Sequence, residues 1–185
     1  MLRGVMSAHL SLGHRLLDIT EAERSDLPAI RAIYNEGIAD RLATLENDPK
    51  DDTEIAGWFD SHPERYVILV AKRSDEVVGW ASLNPYSHRC AYAGIADLSV
   101  YVARAARGSG VGAALLAEID GCARRENFHK IVLFALSINE AGLRLYRKMG
   151  YREVGVFREQ GILDGQFVDV IAMEKLMRPM VRLPS

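Results

Sequence analysis

The sequence predicts an α+β protein built on one mixed β-sheet with a parallel centre. Along the chain, apolar residues alternate between helical spacing and short β-rich runs. The runs YVILVAK and EVVGWASL, separated by the turn-like RSDE, indicate an antiparallel hairpin. Further on, a strand, a glycine-rich loop, an amphipathic helix and the apolar run HKIVLFAL indicate a β-α-β unit, which places two strands parallel.

The length and composition fit one globular domain. The chain has 185 residues, of which 49% are hydrophobic, enough for a single core. We expect an N-terminal extension over 1–15, one domain over 16–177 and a C-terminal tail over 178–185. Met6 is an alternative start to Met1, and the sequence leaves this choice open.

Charge and residue usage argue against several classes of partner. The net charge of -2 is spread evenly, and no apolar run approaches the ~20 residues of a membrane span, so we expect neither nucleic acid nor membrane as a partner. The two cysteines, Cys90 and Cys122, cannot form a disulfide framework, which favours a reducing cytoplasm. We expect no metal, because the histidines lack carboxylate or cysteine neighbours at ligand spacing.

The first half of the chain predicts a strand, two helices, the hairpin and a long strand. We predict a short strand over 16–22 and a helix from Asp26. The apolar stripe of that helix consists of Leu27, Ile30, Ile33, Tyr34 and Ile38. A second short helix is predicted over TEIAGWFDS, and a long strand from Ala91 to Val102.

The second half alternates helices and strands. After the glycines, a helical stripe is formed by Val111, Leu115, Leu116, Ile119 and Ala123. The segment NEAGLRLYRKMG predicts a helix with Asn139 as its N-cap and Gly150 as its C-terminal stop. Strands are then predicted over YREVGVFRE and from Phe167 to Leu176, giving about seven strands and about four helices.

The glycine-rich loop predicts an anion site. Gly108, Gly110 and Gly112 open a helix with bare backbone amides, which favour phosphate together with the helix dipole. GSGVGA also fits the dinucleotide pattern G-x-G-x-x-G/A, although ARAAR separates the strand from the first glycine and the next strand lacks the required acid. A triphosphate loop is excluded because no Lys-Ser/Thr follows. A turn that binds nothing is the remaining alternative.

The same loop resembles the signature of the GNAT N-acetyltransferases, R/Q-x-x-G-x-G/A. The order of elements and the MGY turn extend this resemblance over about 16–176. It implies a GNAT fold, acetyl-coenzyme A as co-substrate, pyrophosphate on the loop amides and a pantetheine arm paired with the fourth strand. The cofactor contacts that it implies are Val100, Tyr101, Val102, Arg107, Gly108, Ser109, Gly110, Val111, Gly112 and Asn139.

A narrower resemblance is to the phosphinothricin acetyltransferases, including the arsinothricin N-acetyltransferases. It is carried by AYAGIADLSVYV, DLPAIRAIYNEGI and LYRKMGYREVGVFREQGILDGQFVDVIAMEK. It implies acetylation of the α-amine of a glutamate-like toxin such as phosphinothricin, methionine sulfoximine or arsinothricin, and hence detoxification. It also implies a homodimer formed through the C-terminal strands.

Two residues are expected to move protons. Asp97 stands where the subfamily carries the glutamate that acts as base. Because the side chain of aspartate is shorter, direct proton transfer, transfer through a water and a purely structural role all remain open. Tyr146 occupies the position from which many acetyltransferases protonate the sulfur, and some phosphinothricin enzymes have histidine there. The alternative for Tyr146 is a core aromatic beside Leu143 and Met149.

Acceptor binding is assigned to three residues. The resemblance implies that Arg89 and Tyr92 contact substrate, and an arginine can pair with a carboxylate through two hydrogen bonds. Leu45 lies in the loop ATLENDP, which encloses substrate in the subfamily, where an aromatic residue is usual. A solvated Arg89 is the alternative.

Other functions also remain open. One is a non-catalytic module that binds acyl-coenzyme A, and another is an acetyltransferase for polyamines or a protein N-terminus. A polyamine site would favour acids where this chain offers Arg89.

Overall fold

The computed structural model describes residues 17–177, and the predicted extension and tail lie outside the described residues. One sheet contains the strands β1 Leu17–Glu21, β2 Ile68–Arg73, β3 Glu76–Pro85, β4 Ile95–Val102, β5 Lys130–Leu136, β6 Arg152–Leu163 and β7 Gln166–Leu176. The helices of this part of the chain are α1 Leu27–Ala39, α2 Asp52–Asp60, α3 Val111–Arg125 and α4 Glu140–Lys148.

The sheet is mixed, with order β1-β2-β3-β4-β5-β7-β6. Every neighbouring pair is antiparallel except β4 and β5, which run parallel because α3 connects them as a crossover. The predicted α+β class with a parallel centre is confirmed. The hairpin between β2 and β3 is also confirmed, and Ser74 and Asp75 both adopt positive φ at its turn.

Helices cover both faces of the sheet. The face under α1 and α2 carries a cluster that includes Ile30, Ile55 and Trp80. The opposite face packs against α3, whose Leu115 and Ile119 are fully buried. Successive strand residues point to opposite faces, so the central strands β2, β3 and β4 contribute to both clusters.

The predicted helix boundaries agree with the structure. Asn139 accepts a hydrogen bond from the backbone N–H of Gly142 at 2.9 Å, as expected for an N-cap. Gly150 ends α4 with φ of 88°, a conformation that an L side chain disfavours.

Two strand boundaries differ from expectation. β4 begins at Ile95 rather than Ala91, because Cys90–Tyr92 forms a 3-10 turn. At Gly94 a Cβ atom would lie 2.3 Å from Nδ1 of His129, so the chain needs this glycine to turn close to the start of β5. β6 continues to Leu163 rather than ending at 159, because it stays paired with β7 beyond a bulge.

Candidate active site

The parallel strands β4 and β5 pair over only three residues of β4. Their register ends at Asp97 opposite Val132, although β4 continues to Val102 and β5 to Leu136. Beyond that point the two strands diverge and leave a wedge in the sheet. The inner edge of β4 there has no β5 neighbour, which leaves its backbone groups open to an extended ligand.

A cleft of about 110 Å³ lies in this wedge. It is lined by Ala43, Asp97, Leu98, Ser99, Val100, Tyr101, Phe134, Ala135, Asn139 and Tyr146. The cleft therefore brings the two proposed proton-transfer residues, Asp97 and Tyr146, to one place. Val100 and Tyr101, predicted as contacts of the pantetheine arm, are on its β4 side.

The carboxyl of Asp97 is largely desolvated. Burial raises its pKa from the usual 3.8 to about 6, and a hydrogen bond from the backbone of Leu98 opposes this rise. A carboxyl in such surroundings changes charge close to neutral pH. Asp97 thus has the pKa that suits a general base at physiological pH.

The phenol of Tyr146 faces the cleft from α4. Burial raises its pKa to about 12, so the group keeps its proton throughout the neutral range. Its ring makes an edge contact with Tyr151, with centroids 6.0 Å apart. Tyr146 therefore packs at the margin of the core and also presents a proton donor.

A second cavity, of about 310 Å³, lies on the α1 and α2 face of the sheet. It is lined by Tyr34, Lys50, Glu54, Ile55, Trp58, Trp80, Ser82, Asn84, Ser99 and Tyr101. Because Ser99 and Tyr101 also line the cleft, the two spaces adjoin across β4. We call the larger space the acceptor cavity, because we propose that the acceptor binds there.

Cross-strand pairs form the floor of the acceptor cavity. Trp80 is opposite Tyr101 and their rings stack with centroids 4.8 Å apart, while Ser82 is opposite Ser99. Nδ2 of Asn84 donates to Oγ of Ser99 at 3.3 Å and to the backbone oxygen of Asp97 at 3.3 Å. One end of the floor is thus aromatic and the other is polar.

Sequence reasoning missed most of this cavity. The signal was present, since alternate residues on β3 and on β4 share a face. What was missing was the register between the strands and the position of α2, both of which are tertiary properties.

The glycine loop has the geometry of an anion site. Gly108 and Gly110 adopt φ of 73° and 88°, and α3 begins at Val111. The first helical bond is donated by Ala114 to the carbonyl of Gly110, so the amides of Val111 and Gly112 have no acceptor within the helix. These amides suit the pyrophosphate of coenzyme A.

Arginines surround the loop. Both Arg104 and Arg107 pair with Asp40 at 2.5 Å, and the hydrogen bond from Arg104 is the main cause that lowers the pKa of Asp40. On the other side, Arg73 donates to Oγ of Ser109 at 3.2 Å. No motif in the sequence pointed to Arg73, because only the tertiary fold brings β2 next to the loop.

Two predicted cofactor residues also have structural roles. At Gly112 a Cβ atom would lie 2.9 Å from Cδ2 of Leu145, so this glycine lets α3 approach α4 closely. Asn139 caps α4 and lines the cleft. Its side-chain oxygen is already occupied by the cap.

The three predicted acceptor residues do not line the acceptor cavity. Arg89 is exposed next to the 3-10 turn before β4, and Tyr92 makes an edge contact with Tyr86 there. Leu45 packs against Gly161 of β6 instead. A Cβ atom added to Gly161 would lie 2.5 Å from Cδ2 of Leu45. Leu45 thereby anchors the loop after α1 to the β6-β7 hairpin.

The described residues contain no group of three or more side chains arranged to hold a metal ion. Within 17–177, no helix has the length and apolarity needed to cross a bilayer. Cys90 is exposed and Cys122 is buried, and both are free thiols.

Comparisons with known proteins agree with this geometry. Residues 27–151 match the model of the acetyltransferase (GNAT) family. A phosphinothricin N-acetyltransferase of Streptomyces coelicolor is 32% identical over 81% of this chain and 90% of its own length. An L-methionine sulfoximine/L-methionine sulfone acetyltransferase of Pseudomonas aeruginosa is 32% identical over 87% of this chain and 95% of its own.

Two solved structures share the fold at similar levels. A ribosomal-protein-alanine N-acetyltransferase of Brucella melitensis has a TM-score of 0.83 and 34% identity, covering 85% of this chain and 98% of its own. A phosphinothricin acetyltransferase of Sinorhizobium meliloti in complex with acetyl-coenzyme A has a TM-score of 0.83 and 27% identity, covering 86% of this chain and 88% of its own.

Proposed function

The chain belongs to the acetyltransferase (GNAT) family and is an acetyl-coenzyme A dependent acyltransferase, and we propose that its acceptor is the α-amine of a glutamate-like amino acid analogue. The analogues meant are of the phosphinothricin, methionine sulfoximine or arsinothricin type. Relatives named for the first two support this acceptor class. The biological role we propose is detoxification of such a compound in the cytoplasm.

One observation carries the proposal. The acceptor cavity meets the cleft at Ser99 and Tyr101, and Asp97 and Tyr146 both line the cleft. An amine entering from the cavity therefore comes between a desolvated carboxylate and a phenol that keeps its proton. These are the two proton-transfer groups that amide formation from a thioester requires.

The loop and β4 fit the co-substrate. The amides of Val111 and Gly112 suit the pyrophosphate, and the unpaired edge of β4 suits the amides of the pantetheine arm. Arg107 and Arg73 add positive charge on two sides of the loop. The co-substrate supplies the activated acetyl thioester.

Asp97 and Tyr146 each carry out one proton transfer of the reaction. Asp97 accepts a proton from the acceptor ammonium, directly or through a water. The free amine attacks the thioester carbonyl, so that an N–C bond forms, the C–S bond breaks, and the nitrogen loses a second proton as the amide forms. Tyr146 gives its proton to the departing sulfur, and the proton released by the nitrogen restores the phenol.

Arg89 and Tyr92 are proposed contacts for the part of the acceptor that projects beyond the cavity. They lie on the segment that leads into β4, the strand that carries Asp97. Leu45 is proposed to act through the loop after α1, which it anchors beside the cleft-lining Ala43.

A homodimer is part of the proposal. β6 is exposed along nearly its whole length, including Val154, Val156 and Phe157, and Phe167 of β7 is 65% exposed. Large apolar side chains that remain exposed on one edge of a sheet favour an interface. We propose that this edge packs against the same edge of a second copy of the chain.

A panel of acceptors tests the function. Thiol release from acetyl-coenzyme A is measured with phosphinothricin, methionine sulfoximine, arsinothricin, spermidine, a lysine peptide and a peptide with N-terminal alanine. We expect turnover with one or more of the three amino acid analogues and none with the peptides. Turnover with the alanine peptide alone would favour a protein acceptor, as in the name of the Brucella structure, and binding without any turnover would favour a non-catalytic module.

A further inference from the structure

The acceptor cavity contains one pair of opposite charges. Among the lining residues that the structure describes, Lys50 is the only cation and Glu54 the only carboxylate. The rest of the wall is aromatic, aliphatic or uncharged polar. Any anionic group that enters this cavity therefore has a single positive partner available on its wall.

The fold holds Lys50 firmly at this wall. Its backbone N–H donates to Oδ1 of Asn35 at 2.8 Å, and its carbonyl accepts from Nδ2 of the same side chain at 2.9 Å. The amide of Asn35 thus fixes Lys50 to α1 just before the start of α2. Only 23% of the Lys50 side chain is exposed.

The ammonium of Lys50 has one close and one distant carboxylate. Nζ lies 2.9 Å from Oε2 of Glu46 but 3.4 Å from Oε1 of Glu54. The other oxygen of Glu54 accepts from the backbone N–H of Asp51 at 2.9 Å, within the capping box of α2. Glu54 therefore keeps a partner if the ammonium moves away from it.

A further donor in the wall has no partner. The indole nitrogen of Trp80 is buried and finds no acceptor among the described residues. An N–H group buried without an acceptor is unfavourable, and an oxygen of a bound molecule relieves that cost. This nitrogen lies below the cavity surface, however, so the charged donor at the surface of the wall is the ammonium of Lys50.

We propose that Lys50 binds an anionic group of the acceptor, exchanging its distant contact with Glu54 for a carboxylate or phosphinate of the amino acid. This inference rests on the proposed function. Lys50 keeps Glu46 as its second partner, so the ammonium stays oriented when the ligand leaves. The hydrogen bond with Glu46 raises the pKa of Lys50, and the group remains charged across the neutral range.

The test removes the Lys50 ammonium and the anionic group of the acceptor, separately and together. Lys50→Met is compared with the unaltered protein on methionine sulfoximine, on its α-carboxamide, which lacks the carboxylate, and on phosphinothricin, which has a second anion. We expect the KM for the charged acceptors to rise roughly 10- to 100-fold, while the carboxamide and acetyl-coenzyme A change little. Lys50→Arg should restore part of the loss, and Lys148→Met, which removes an exposed lysine of α4, should have no effect.

The set of acceptors distinguishes the α-carboxylate from the side-chain anion as the partner of Lys50. It also distinguishes failure of this inference from failure of the proposed function. A loss for methionine sulfoximine and phosphinothricin alike assigns Lys50 to the α-carboxylate, whereas a loss confined to phosphinothricin assigns it to the side-chain anion. An unchanged KM for all acceptors, or an equal loss for acid and carboxamide, overturns the inference alone. If the unaltered protein turns over no amino acid analogue, the proposed function fails and the role of Lys50 fails with it.

Discussion

Asp97 and Val132 form the last residue pair between the parallel strands β4 and β5. The carboxyl of Asp97 therefore stands where the sheet opens, buried by the protein on one side and next to the cleft on the other. This position explains both its raised pKa and its access to a reacting amine.

The pH dependence of the reaction tests Asp97 as base. Because its pKa is raised to about 6, we expect kcat/KM to fall as the pH is lowered through about 6, where the carboxylate gains a proton. Asp97→Asn should lower kcat by roughly 100-fold or more and remove this limb of the profile. A variant that keeps the limb would assign it to another group.

The stability of the same variant provides its control. The pKa in the folded protein is raised above that of the unfolded chain, so stability falls as the pH rises from about 3.8 to about 6, and the full cost of the charged carboxylate is present above that. Asp97→Asn should therefore be at least as stable as the unaltered protein at pH 8, as measured by Tm. Loss of activity with an undiminished Tm then reports chemistry rather than unfolding.

Tyr146→Phe tests the proton donor. The phenol has a pKa of about 12, and removing it takes away the proton for the sulfur while leaving the ring in place. We expect kcat to fall roughly 10- to 100-fold with both KM values nearly unchanged. Tyr151→Phe is the matched control, because this buried neighbour of Tyr146 does not line the cleft, and its activity should be unchanged.

Gly110 tests the pyrophosphate loop. Its φ of 88° strains any L residue, so Gly110→Ala measures the effect of strain and Gly110→Asp adds a negative charge to the same strain. We expect calorimetry to show a much greater loss of acetyl-coenzyme A affinity for the aspartate than for the alanine variant, with both proteins folded. Equal affinities for the two variants would argue against an anion at this loop.

Light scattering at micromolar concentration tests the dimer. We expect the mass of two chains for the unaltered protein and of one chain for Phe167→Asp, which places a charge on the most exposed large apolar side chain of the described residues. Thr53→Asp, which adds the same charge at an exposed residue of α2, is the control and should stay dimeric. A monomeric unaltered protein contradicts the proposal.

Arg89→Ala tests the segment before β4. If Arg89 holds an anion of the acceptor outside the cavity, the KM for phosphinothricin-like acceptors should rise roughly 10- to 200-fold while that for acetyl-coenzyme A stays unchanged. The neighbouring His88→Ala should change neither value. An equal rise for both substrates would mean that Arg89 supports the fold or the cofactor, and no rise would mean that the exposed guanidinium is simply solvated.

The local patterns in the sequence were reliable where neighbouring residues decide the structure. The stripe from Leu27 to Ile38 predicted α1, the cap at Asn139 predicted the start of α4, and the hairpin and its turn were confirmed. The expected strand from Ala91 failed at its start, because the close approach of Gly94 to His129 depends on a contact across 35 positions in the chain that no local pattern shows.

The sequence by itself determined the fold class, the glycine loop and the family, since each depends on periodicity or on a motif of contiguous residues. Only the tertiary structure decided the acceptor cavity. Its floor depends on the register of β3 against β4. Lys50, the one cation among the described residues of its wall, reaches it because Asn35 fixes the end of a loop to α1. Such contacts arise from side chains distant in sequence, and their geometry is set by packing rather than by local propensity.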